Sequence, residues 1–236
     1  MPFPQTAAAD EVTALLARWR SFCFPGGENA AREIRAVRTT QRGEFRGSPK
    51  ARWIPFTAEE VVETARSSFC WNARIGAAKL GAITVTDAYE EGHGRLVVKL
   101  ANMVPLQKIT GPEADRGELQ RYLGEIVLCP PILLNHASLE WTAIGPDTLR
   151  VRDRQDATGA TVDIEISEAG CPVGFKAERG RLVGKQTILT PWSGTGSDFQ
   201  EREGMQVPAR FEACWHLPEG PFPYIRGEIT SFVAQR

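Results

Sequence analysis

Four residues between positions 118 and 125 have the types and spacing for acid–base chemistry: Glu118, Arg121, Tyr122 and Glu125. They recur at i, i+3, i+4 and i+7, so on a helix they form one polar stripe. A carboxyl group on such a stripe, turned into an apolar hollow, resists ionisation and can act as a general acid or base near neutral pH. Glu118 and Glu125 are the candidates for that work. Arg121 stays charged, and would anchor an anionic group or hold a neighbouring glutamate ionised. Tyr122 would donate a hydrogen bond. The plain alternative is a solvated face, in which Arg121 and Glu125 make an ordinary i, i+4 pair.

The stripe needs a helix, and the stretch GPEADRGELQRYLGEIVLCPPILLNH at 111–136 supplies one. Gly111-Pro112 breaks the preceding strand, Glu113 and Asp115 place negative charge in the first turn, and Leu119, Leu123, Ile126 and Val127 recur on an apolar face. Cys129-Pro130-Pro131 ends it, because proline cannot continue the hydrogen-bond ladder. The spacing predicts a helix over 113–129. A second, over 6–24, carries Val12, Leu15, Leu16, Trp19, Phe22 and Cys23 as one apolar stripe and stops at Pro25-Gly26-Gly27.

Elsewhere the period is two. Alternating runs at 69–75, 84–90, 95–101, 138–144, 148–153, 160–167 and 173–179, and later segments up to 233, read as strands joined by short turns. That makes about ten strands at hairpin spacing with two strong helices and no βαβ alternation. The expected architecture is a β-rich α+β domain spanning 1–236. It would be a single strongly curved antiparallel sheet, a half-barrel, because a sheet this wide twists until it curls. Helices would cover its open side. The basic run from Arg32 to Arg52 reads as a solvated sheet face.

Trp53, Trp71, Trp141, Trp192 and Trp215 fall on expected strands or strand ends, and on a concave sheet they would wall a flat or acyl ligand. Asp87 and Tyr89 share a strand face and could reach the same hollow. Taken singly, each tryptophan reads by default as plain core.

Composition narrows the function classes. The chain has 236 residues, 42% hydrophobic and 24% charged, with a net charge of −1. Nothing global draws it to nucleic acid or an anionic membrane. No apolar run is long enough for stable membrane insertion, and no basic-then-apolar leader is visible at the start, so a cytoplasmic location is expected. The five cysteines are widely spaced without a CxxC, which predicts free, mostly buried thiols. His93, His136 and His216 are isolated, so no metal is expected. GxGxxG, GxSxG and a complete P-loop are missing, so no cofactor is expected. A homodimer stays open.

The segments RWIPF (52–56), FCWNARI (69–75), DAYEEGHGRL (87–96), GPEADRGELQRYLGE (111–125), TPWSG (190–194) and LPEGPFPYIRGEI (217–229) are similar to a large uncharacterised bacterial family. The likeness runs over nearly the whole chain after Ile34. The family's order of strands and helices resembles the half-barrel of the periplasmic lipoprotein carriers (Lol-type), which hold acyl chains under a helical lid. A cofactor-free violacein-pathway enzyme uses the same fold class. The resemblance implies a concave apolar pocket for a small hydrophobic or aromatic molecule. Combined with the polar stripe, the first expectation is cofactor-independent lyase, isomerase or cyclase chemistry on that molecule. The alternative is a non-catalytic carrier or sensor of lipid-like ligands.

Overall fold

A computed structural model describes residues 5–76, 83–101, 103–184 and 186–236. The described chain forms one antiparallel sheet of thirteen strands and four helices. Helices α1 (Gln5–Cys23) and α2 (Asn29–Arg32) come first. Strands β1 (Ala36–Phe45), β2 (Ile54–Glu63), β3 (Phe69–Ile75), β4 (Ile83–Glu90), β5 (His93–Leu100) and β6 (Val104–Thr110) follow as a meander. After α3 (Pro112–Glu125) and α4 (Ile132–Asn135), a second meander runs through β7 (Leu139–Gly145), β8 (Thr148–Asp153), β9 (Val162–Ile166), β10 (Pro172–Val183), β11 (Gln186–Arg202), β12 (Met205–Leu217) and β13 (Gly220–Gln235).

The strand order is β6-β5-β4-β3-β2-β1-β13-β12-β11-β10-β9-β8-β7. Each meander therefore has one end at the middle of the sheet, where β1 pairs with β13 over Ala36–Gln235 to Phe45–Ile225. Their other ends are the two outer edges, β6 and β7. The chain must cross from one edge to the other, and α3 with α4 is that crossing. A segment bridging the edges of a curled sheet runs across its hollow, so connectivity alone puts α3 over the concave face. Contacts agree: α3 touches β4, β5 and β6 in one half and β9 and β10 in the other, while α1 touches β7 and β12. Such non-neighbouring strands meet one helix only on the inside of the curl.

Two glycine positions make this geometry possible. Gly43 of β1 faces Gly227 of β13 in the ladder, at the junction of the meanders. A Cβ on Gly43 would overlap the Arg226 carbonyl and the Phe56 ring, so the bend there excludes any side chain. At Gly94 of β5 a Cβ would collide with the carbonyl of Ala114 in α3. The bare backbone instead lets the Gly94 amide donate to Asp115 Oδ1 at 2.7 Å, which fastens the first turn of α3 to the sheet.

The strand count exceeds the expected ten. β6 follows a short turn, and segments 160–183 and 186–235 form longer strands than their alternating runs. Helix α3 ends at Glu125 rather than at position 129. The chain goes on through tight turns, with the Cys129 amide donating to the Glu125 carbonyl at 2.7 Å, before Pro131 starts α4. In β1 the alternation holds: Val37, Thr39 and Gln41 are buried, while Arg38 and Arg42 point outward. The basic run is a solvated face paired with acids, Arg38 with Glu59 at 3.6 Å and Arg42 with Glu228. The core gathers Trp19 and Leu15 of α1, Leu119 and Leu123 of α3, and the inward residues of the sheet. All five cysteines are free, with Cys23 and Cys129 buried. No helix among the described residues is long and apolar enough to cross a membrane.

Candidate functional site

Between α3 and the concave sheet lies a cavity of about 420 Å³, within the size range of small-molecule sites. Its walls are mainly apolar, with Phe45, Ile75, Val85, Val98, Phe175 and Ile225 contributed by six strands. Gly124, Arg121 and Glu125 of α3 and Leu128 just after it form the roof.

One end of the hollow is charged. Arg121 donates to Glu60 Oε1 of β2 at 3.0 Å, to Asp87 Oδ2 of β4, and to Glu125 Oε1 one turn along its own helix at 3.5 Å. Its guanidinium also lies over the rings of Phe69 (4.7 Å) and Trp71 (5.1 Å), so aromatic rings engage the group as well as acids. Glu60 is held further by Gln41 Nε2 at 2.7 Å, and Trp71 Nε1 donates to Gln41 Oε1 at 2.9 Å. Beside this network Arg179 of β10 donates to Glu118 at 3.0 Å and lies 4.6 Å over Trp192.

Four buried carboxyls, Glu60, Asp87, Glu118 and Glu125, thus share two guanidiniums. Burial pushes the Glu125 carboxyl up to about 8, with the charge of Glu60 adding to it and Arg121 opposing. Burial likewise pushes Glu118 up to about 8, helped by Asp87 and opposed by Arg179. Glu60 is raised by burial, against the pull of Arg121 and Gln41. Burial alone would lower the Arg121 pKa, but Asp87, Glu60 and Glu125 outweigh it and hold the guanidinium charged. Protons on Glu118 and Glu125 bring the cluster close to neutral at pH 7.

The structure brings together Glu118, Arg121, Glu125, Asp87, Trp71 and Trp192 at this end, though Glu118 sits behind Asp87 rather than on the wall. It places the other candidates elsewhere. Tyr122 is fully buried, its hydroxyl donating to the Glu63 carbonyl at 2.9 Å, so it faces the core and not the cavity. Tyr89 is buried in the core as well, where burial pushes its hydroxyl up to about 12. Trp141 packs edge-on against Trp19 under α1, 5.9 Å between centroids. Trp53 lies between the Arg46 and Arg226 guanidiniums, each at 4.5 Å. Trp215 stacks on Tyr224 at 5.9 Å, behind the wall. Arg121 is also not a free anion anchor, since three carboxyl groups already occupy it.

Two charged members of the cluster, Glu60 and Arg179, were missed as candidates. Both had a signal in the strand period. In Ile54–Glu63 the buried positions are Phe56, Ala58, Glu60 and Val62, so an acid stands in an apolar register. Arg179 follows Phe175 and Ala177 on the same face of β10. Of the histidines, His136 is buried between Ser67 Oγ (3.1 Å) and Ser138 Oγ (3.2 Å), both of which donate to Asp153. That polar knot ties β7 and β8 to the β2–β3 turn. Among the described residues no group of three or more His, Cys, Asp or Glu is set to hold a metal ion.

An open antiparallel half-barrel with a crossing helix over an apolar hollow defines the class of protein. The chain belongs to a family of unknown function, DUF6920, whose pattern matches residues 11–233. No curated protein matches it. Among solved structures it is similar to a LolA superfamily protein from Nitrosomonas europaea, with 10% identity, a TM-score of 0.51, and coverage of 95% of this chain and 94% of that one. It is also similar to a DUF1329 family protein from Desulfovibrio piger, with 6% identity, a TM-score of 0.53, and coverage of 95% and 93%. At such identities the likeness is one of fold.

Proposed function

We propose that the protein binds and carries a small lipid-like or aromatic molecule, its apolar body in the half-barrel and its polar end toward Arg121 and Glu125. One observation carries this reading: a cavity of about 420 Å³ with apolar walls is roofed by the crossing helix instead of being filled by core side chains. The fold shared with a LolA superfamily protein is consistent with it. Native mass spectrometry of the purified protein should find a co-purified amphiphile of a few hundred daltons. Val85→Trp, which places an indole in the hollow, should weaken binding of a fluorescent fatty-acid probe at least about tenfold, the loss expected when a buried apolar contact surface is denied to a ligand. Unchanged affinity in that variant, with the fold intact, would remove the cavity from the reading.

A second reading, cofactor-independent acid–base catalysis of the lyase, isomerase or cyclase kind, rests on Glu125. Its carboxyl lines the cavity and burial pushes it up to about 8, so it is a proton donor at neutral pH. Under this reading Glu125→Gln abolishes turnover of the bound molecule, by about 10²–10⁴-fold, and leaves its affinity within a few-fold. Equal turnover in the two proteins would leave the carrier reading alone.

A further inference from the structure

The charged end of the cavity has a sign. On its wall are Glu60 from β2, Asp87 from β4, Arg121 and Glu125 from α3, and Arg179 from β10, with Glu118 of α3 behind Asp87. Two more titratable groups lie at the same hollow, Glu212 of β12 and Tyr224 of β13, and burial raises the Tyr224 hydroxyl so that it stays neutral. Among the described residues, acids therefore outnumber bases. Both bases are already bound, Arg121 by three carboxyl groups and Arg179 by Glu118. Among the described residues, a ligand carboxylate or phosphate entering here would meet no free cation and several acids.

The unsatisfied capacity is on the acceptor side. Asp87 is 6% exposed and lines the cavity; its Oδ1 is closed off from the hollow, and its one available donor among the described residues is a protonated Glu118 behind it. Glu125 also faces the hollow, with only a long 3.5 Å contact to Arg121. A buried acceptor without a donor is costly, and the two available sources of a donor are a proton on a neighbouring carboxyl and the head group of a ligand. We infer that the cavity selects amphiphiles with a cationic, hydrogen-bonding head group, such as a primary ammonium, seated against the Glu125 carboxyl. This inference rests on the cavity being a ligand site.

Displacement of the Glu125 proton by that charge couples binding to pH. A primary alkylammonium keeps its charge to about pH 10, like a lysine side chain, so any change of its affinity at lower pH belongs to the protein. Release of one proton on binding makes affinity rise about tenfold per pH unit until the displaced proton would have left anyway.

The test is calorimetric titration of the whole protein with dodecylammonium, 1-dodecanol and laurate, three heads on one tail, from pH 6 to pH 9 and in two buffers of different ionisation enthalpy. Dodecylammonium should bind at least about tenfold more tightly than either of the others at pH 8, as expected for one charge-assisted contact in a buried site. Its affinity should rise with pH, flatten near pH 9, and be accompanied by proton release. Glu125→Gln should cut that slope by at least half, and Glu60→Gln provides the same comparison from the sheet side. Laurate binding as tightly as the amine, or an amine affinity that does not change with pH, would overturn the inference while leaving the cavity as a ligand site. Failure of all three to bind would remove the cavity reading, and this inference with it.

Discussion

Arg121→Met is expected to destabilise the protein by on the order of 3–5 kcal/mol at pH 7, the loss seen when one partner of a buried ion pair is removed. The magnitude follows from what remains. Methionine fills much of the space over Phe69 and Trp71, so the packing loss is small. Glu60 and Asp87, however, lose their main counter-charge inside the hollow, and Glu125 loses its i, i+4 partner. Urea denaturation monitored by tryptophan fluorescence measures the difference. The expected signature is its recovery. In Arg121→Met/Asp87→Asn/Glu60→Gln the stranded charges are gone, and stability should return to within about 1–2 kcal/mol of wild type, because neutral replacement of a whole buried ion cluster is often tolerated. The deficit of the single variant should also shrink at pH 5, where protonation neutralises the orphaned acids. A loss below about 1 kcal/mol for Arg121→Met would mean that water reaches these pairs and screens them, as at an exposed site.

That network was only half legible in the sequence, for a physical reason. Helical spacing fixes which residues share a face, so Glu118, Arg121 and Glu125 could be grouped from their positions alone. Which strand residues meet that face depends on long-range pairing, and spacing does not contain it. The meeting of Asp87 with Arg121 needs β4 and the crossing helix to lie on one side of the curl. Glu60 could have been suspected, as an acid in register with Phe56, Ala58 and Val62, but positions 57–63 were not read as a strand. Tyr122 shows the limit of the stripe: one helical step from Arg121 turns its ring from the hollow into the core against His136. The tryptophans show the same for strands. Trp71 lies within a strand whose inward face is unambiguous, and it is on the wall. Trp53 precedes its strand and escapes the alternation, ending between two arginines. The sheet itself was legible as a long antiparallel meander, because hairpins are local. Its reversal, with β1 and β13 in the middle and β6 and β7 at the edges, is not local.

Stability should fall as pH rises from about 5 to about 8, because the folded protein binds protons that the unfolded chain has released. Glu118 and Glu125 have ordinary values of 4.5, and burial pushes both up to about 8 in the folded state. Below the unfolded value each is protonated in both states, and its contribution is fully present. Between the two values folding requires proton uptake, and each group removes up to about 1.4 kcal/mol per pH unit. Above the folded value the loss is complete and the curve flattens. The two carboxyls share Asp87, Glu60 and Arg121 as neighbours, so their protons leave in coupled steps and the decline is spread over the window. Asp153 works in the opposite direction. Burial would raise it, but the hydroxyls of Ser138 and Ser67, both at 2.6 Å, outweigh that and hold it below its ordinary value, so its contribution is lost as pH falls. Burial lowers His136 beside it, which also penalises acid. Maximum stability should therefore lie on the acid side of neutrality. Glu125→Gln separates the causes: glutamine carries no titratable proton, so the variant should match wild type within about 1 kcal/mol at pH 5, exceed it by at least that much at pH 8, and show a shallower slope between. Urea midpoints at four pH values suffice, and a wild-type curve that rises through this window would show that Glu125 ionises freely and that water fills the charged end of the hollow.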